Sequence, residues 1–353
     1  MAFTILNGSG GSHATAATHA PSAEYAERAP HVASQLRLIA TPGNRAAQRS
    51  LGLPPDDDEA TPPIGLAAGQ ELPPLAAAQF SLPVAAYKTY AAQQLATMEN
   101  DVARLTDALR SDDRVRSEAA WRTAFARYLR LGAVYLEGPL ADLDEAIDGT
   151  PDGLPGGVSN PRFTGLHRIE HGLWTGGSPA SLARWSMQLS ADVSRMRAVL
   201  PTVSIDPLDY ATRAHEILED AVRDLLSGAD VPWSDEGVLG TYAGLQATQA
   251  VLNTLKPILN TTTIVQGYSA PEQRSSAAVD ADLAGLNGVL RSLAAGNGGV
   301  MPTNPQLTQA QTEHLDGAVG QALEGLAQVP GMLETTAAPQ TPRIPKSAQR
   351  MAP

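Results

Sequence analysis

From Pro83 onward the apolar side chains recur at the spacing of a helix. Val84, Tyr87, Leu95, Met98, Val102, Leu105 and Leu109 fall close to one stripe, the recurrence that buries one face of an amphipathic helix. Pro83 suits a first turn, where a missing N–H removes no helical hydrogen bond. Trp121, Phe125, Tyr128 and Leu131 mark the buried face of a second helix over residues 114–136. A loop rich in glycine and proline follows at 149–157. Asn160 and Pro161 read as the N-cap and first-turn proline of a third helix, which Gly176 and Gly177 end. Further helical patterns cover 179–200, 207–226, 236–259, 271–295 and 305–326. No convincing strand alternation appears between residues 82 and 329. The pattern predicts an all-α fold, a helical-bundle array of seven to eight helices in two bundle-like halves.

The flanks read differently. Residues 1–76 are rich in Pro, Ala and Gly, with proline pairs at 54–55, 62–63 and 73–74 and an acidic run at 56–59. Such a segment disfavours helix and offers little to bury, so it is expected to be disordered or loosely packed. Residues 77–329 form the expected helical domain, and 330–353 a Pro-rich flexible tail.

Composition narrows the chemistry. Acidic side chains number 37 against 25 basic ones, a net charge of −12 in 353 residues. That balance argues against nucleic acid, whose phosphates need clustered Lys and Arg. Cysteine is absent, which removes disulfides, thiolate catalysis and cysteine-held metals. Any metal would therefore be held by His, Asp and Glu. No run reaches the roughly 18 apolar residues of a membrane helix. The opening residues also lack the basic stretch and apolar core of a signal peptide, so no export signal is expected from the sequence alone.

Three segments could carry a cation. His167 and Glu170 stand three apart on a helix and share a face; an imidazole and a carboxylate at that spacing can reach one ion, although it is equally the spacing of a surface hydrogen-bonded pair. His215 and Glu219 stand four apart on another helix, and Asp142, Asp144, Glu145 and Asp148 precede the Gly/Pro loop. His167-x-x-Glu170-His171 also matches H-x-x-E-H, in which two histidines hold zinc and the glutamate polarises water.

Gly165-Leu-His167-Arg-Ile-Glu170 matches the G-x-H-x-x-E signature of the imelysin-like family. The match extends through Pro83-Val-Ala-Ala-Tyr87, Asp144-Glu-Ala-Ile-Asp148-Gly, Asp152-Gly-Leu-Pro-Gly-Gly157, Asn160-Pro-Arg-Phe-Thr-Gly165, Ala214-His-Glu-Ile-Leu-Glu219 and Leu255-Lys-Pro-Ile-Leu259. Over about residues 80–329 the chain resembles the C-terminal domain of EfeO-type iron-uptake proteins. The resemblance implies a non-enzymatic, extracytoplasmic or cell-envelope iron-binding component acting beside an iron permease and a haem-peroxidase-like partner. It implies His167, Glu170, Asp148 and Glu219 as metal ligands, with iron, or zinc or another divalent metal, as the ion. The sequence departs from the family at Tyr128-Leu-Arg-Leu-Gly132, where many relatives carry Tyr-Glu-x-x-Glu, and residues 1–76 lack the strands and cysteine of the cupredoxin domain of longer relatives. A zinc metallopeptidase using His167-x-x-Glu170-His171 and a metal-free interaction module on the same fold are the alternative readings.

Overall fold

The computed structural model describes residues 77–133, 139–265 and 276–333; the expectations for 1–76, for 334–353 and for the start of the helical pattern at Pro271 lie outside them. Among the described residues the fold is all-α and contains no strand. The stripe that begins at Val84 is half-buried there and fully buried from Tyr87 to Leu109 on α1, Ser81–Arg110. Helix α2, Arg114–Leu129, starts where the Asp113 side chain accepts from Arg116 N–H at 3.0 Å, satisfying one of the orphan donors of the first turn. The others are α3 (Pro139–Asp148), α4 (Gly165–Trp174), α5 (Pro179–Val199), α6 (Pro207–Asp220), α7 (Gly237–Val265), α8 (Ser276–Gly296), α9 (Gln309–Leu326) and the single turn α10 (Val329–Met332). Helix α6 runs on into a π-helical turn, Ala221–Leu226.

Two groupings share the chain. Helix α1 packs along α2 and α5, with α3 and α4 against α5; α6 pairs with α7, and α8 with α9. Helix α7 touches α1 and α2 on one side and α6 and α8 on the other, and so joins the halves. The buried interior is mostly Leu, Ala and Val around a few large rings, Tyr87, Trp121, Phe125, Phe163 and Tyr210. No helix among the described residues is long and apolar enough to cross a membrane.

Several element boundaries differ from the sequence expectation: α7 runs on to Val265 and α9 starts at Gln309, and two others have a visible local cause. The second helix ends at Leu129 rather than near 136, because Gly132 turns to φ +62°, where a Cβ would lie 2.7 Å from Ala247 Cβ. Asn160 is not the N-cap of α4. Its Oδ1 accepts from Arg162 N–H and its Nδ2 donates to Pro155 O, each at 2.8 Å, so the side chain closes a turn and the helix starts only at Gly165. The acidic segment before the Gly/Pro loop forms a helix of its own, α3.

Candidate metal centre

The end of α3 meets the start of α4 backbone to backbone, and two glycines make the approach possible. Gly165 has φ +72°, and a Cβ there would stand 2.5 Å from Ile147 O and 2.8 Å from the carbonyls of Ala146 and Asp148. Gly149 has φ +74°, and a Cβ there would stand 1.9 Å from Thr164 O. Both positions lie in the left-handed region and have no room for a side chain. The first glycine of G-x-H-x-x-E is therefore a packing requirement, and it carries His167 up to Asp148.

The His167 ring is fully buried. Phe125 meets its edge at 6.0 Å between centroids and stacks in turn on Trp121, whose Nε1–H donates to Leu166 O at 2.9 Å. On one side, Nδ1 lies 2.8 Å from Glu170 Oε2. Ionised Glu170 can only accept, so Nδ1 carries the proton and, in the neutral ring, the lone pair is on Nε2. Glu170 Oε1 accepts from both the backbone N–H (2.9 Å) and the hydroxyl (2.7 Å) of Ser234. On the other side, Nε2 stands 3.2 Å from Asp148 Oδ1 and 3.5 Å from Asp230 Oδ1. It is a buried atom that makes no hydrogen bond of acceptable geometry. One nitrogen and two carboxylate oxygens thus lie within 4.8 Å of one another, a donor set for a hard or borderline cation.

These donors face a cleft of about 190 Å³ whose walls carry Asp144, Asp148, Asp220, Asp224 and Asp230 against a single Arg223. Arg223 spans Asp220 and Asp224 at 2.7 Å each, and the Tyr128 hydroxyl donates to Asp144 at 2.7 Å. Burial opposes charge on His167, yet Asp148 and Asp230 outweigh it and hold the ring well above the usual imidazole pKa. Burial raises the Asp148 pKa, against the pull of His167. The pocket favours positive charge at Nε2, whether a proton or a metal ion supplies it.

The sequence-selected residues are distributed unevenly. His167, Asp148 and Glu170 come together, but Glu170 turns its carboxylate to Nδ1 and Ser234 rather than into the cleft. Glu219 is not among the convergent donors; it pairs with His215 on its own helix at 3.4 Å. His171 is not among them either, since its ring packs edge-on against Trp233 at 4.9 Å and against Phe163 at 6.0 Å. Asp230, which no sequence argument selected, completes the set from an irregular segment with no periodicity to mark it; its neighbouring Gly228 and acidic character were the only local signals. The structure shows what stands at the departure, 128–132. Leu129 gives that cleft wall an apolar side chain, and a side chain at Gly132 would collide with Ala247 and Ile217.

The family model for imelysin (Peptidase_M75) matches residues 83–262. The chain is 24% identical over 250 residues to the iron uptake system component EfeO of Escherichia coli (strain K12), and to its counterparts in Shigella flexneri and Shigella boydii serotype 4. The aligned part covers 71% of this chain and 63% of those relatives.

Proposed function

This chain belongs to the imelysin family, and on that premise we propose that it is an iron-binding component of an iron-uptake system. The observation that carries the reading is the buried Nε2 of His167, flanked by Asp148 and Asp230 oxygens at 3.2 and 3.5 Å. Neutral imidazole with two ionised carboxylates balances a divalent charge, and the open side of the cleft leaves room for water or an incoming ligand to complete the shell. Ferrous iron suits that mixture of nitrogen and oxygen, as do zinc and manganese. The iron-uptake relatives favour iron among them.

Binding and release, rather than hydrolysis, is the proposed task. An H-x-x-E-H zinc site needs both histidines on one ion, whereas His171 is engaged with Trp233 and Phe163, and Glu170 with Ser234. The proposal places the protein outside the cytoplasm, handing the cation to a membrane permease and working with a haem-peroxidase-like partner, as the family resemblance implies; the relatives' name supports only a part in iron uptake.

Anaerobic titration calorimetry with ferrous iron tests the site. Wild type is expected to bind one ion at the centre, and His167→Ala, Asp148→Asn and Asp230→Asn each to weaken it at least tenfold, the scale seen when a metal shell is disturbed. Glu219→Gln should bind like wild type. Unchanged affinity in the first three variants would reject the site, and no binding by wild type would return the chain to the metal-free module.

A further inference from the structure

Asp148 and His167 are held by helices, but Asp230 sits in the irregular residues 227–236 between the π-helical turn and α7. A ligand on such a segment is only as well placed as the segment's anchors. One anchor is Glu170, through Ser234. A second comes from the turn that follows α8. Asn304, only 4% exposed, opens the short 3₁₀ turn Asn304–Gln306 between α8 and α9. Its Nδ2 donates to Leu225 O at 2.8 Å and to Leu226 O at 3.2 Å, where the segment begins. Its Oδ1 accepts from Val238 N–H at 3.1 Å, and its own N–H donates to Asp235 O at 2.9 Å, where the segment ends.

One planar amide therefore ties both ends of the Asp230 segment together. The fit leaves no slack: a Cβ on Gly237 would stand 2.0 Å from Leu225 O and 2.5 Å from Asn304 Nδ2. Asp230 is linked to the same base, because its N–H donates to Asp224 O at 2.9 Å in the π-helical turn.

We infer that Asn304 is a positioning residue for the cation ligand Asp230, so that the α8–α9 hairpin, beyond the residues matched by the family model, sets the geometry of the metal centre. The inference rests on the cation site proposed above. Removing the amide takes a buried partner from Val238 N–H and Leu226 O, while Leu225 O keeps Gly228 N–H at 3.0 Å, and the segment relaxes away from His167.

A double-mutant cycle read by ferrous-ion calorimetry tests this. Asn304→Ala is expected to weaken binding about tenfold or more in the wild-type background, and to add no further loss in the Asp230→Ala background, since it acts through that carboxylate. Asn304→Asp keeps the volume and the acceptor for Val238 but sets an oxygen against the Leu225 and Leu226 carbonyls; it carries the same test with less risk to folding and should weaken binding in the same sense. In the metal-free protein, hydrogen exchange across 227–236 should quicken in both variants while α1 and α5 keep their protection. Wild-type affinity in both Asn304 variants overturns the inference, as does an equal loss in both backgrounds, which marks general destabilisation. If Asp230→Ala itself binds like wild type, the metal-centre assignment fails first and this inference falls with it.

Discussion

Gly165 shows how much of the centre depends on the absence of a side chain. Its positive φ and the 2.5 Å that a Cβ would leave to Ile147 O mean that Gly165→Ala must push α4 away from α3. The expected result is a loss of roughly 2 kcal/mol or more, from left-handed strain plus a backbone clash, together with weaker iron binding. Thermal unfolding that matches wild type would show that the two helix ends need not touch. Glu170 works differently. Glu170→Gln preserves shape and can still accept from Ser234, but its amide N–H₂ then faces Nδ1, which must accept, and the ring proton moves to Nε2. Ferrous affinity should fall about tenfold to a hundredfold with little change in the metal-free melting temperature. Nitrogen NMR of the His167 ring above its raised pKa, where the ring is neutral, reads the tautomer directly; an Nδ1-protonated neutral ring in the variant would contradict this account.

At the scale of elements, the Asp230 segment is also joined to α2. Arg122 pairs with Glu236, which is 2% exposed while Arg122 keeps about a third of its surface in water. Burial raises the Glu236 pKa against the pull of Arg122, so the carboxylate is costly to leave alone. Arg122→Met should therefore destabilise by about 2 kcal/mol, less than for a fully buried pair because one partner is solvated. Arg122→Met combined with Glu236→Leu should recover part of that loss. Denaturant unfolding of the two variants decides the point, and a double variant no more stable than the single one would mean that packing, not the unpaired charge, dominates. The same element explains why α6 does not end cleanly: its π-helical turn places Arg223 and Asp224 on the cleft wall and offers carbonyls to Asn304.

For the whole molecule, proton and cation compete at Nε2. The raised pKa of His167 in the folded state means that its ion pairs stabilise the metal-free fold fully below the ordinary imidazole value. That contribution is lost as pH rises through the raised value. Iron binding runs the other way, because Nε2 and Asp148 must both be free of protons to ligate. The melting-temperature increment from saturating ferrous iron should therefore grow as pH rises from the ordinary imidazole value through the raised value of His167. Calorimetry in which the increment shrinks with rising pH would place the ion elsewhere, and His167→Ala should abolish the trend.

Helix identity was legible in the chain because it is a local property. The stripe from Val84 to Leu109 declares a buried face whatever it packs on, and the structure buries that face on α1. The motif Gly165-Leu-His167-Arg-Ile-Glu170 likewise announced a histidine and a carboxylate on one helix, and the family with them. Same-face spacing does not say which way a carboxylate turns. Ser234, 64 residues further on, draws Glu170 away from the cleft. Glu219 has a matching spacing to His215 and stays with it. Asp230 lies on no periodic face, and the docking of residues 227–236 against Glu170, Asn304 and Arg122 brings its oxygen to 3.5 Å from Nε2. Periodicity along one element fixes which side chains share a face; convergence of donors from α3, α4 and an irregular segment depends on contacts between residues far apart in the chain, and tertiary packing alone decides those.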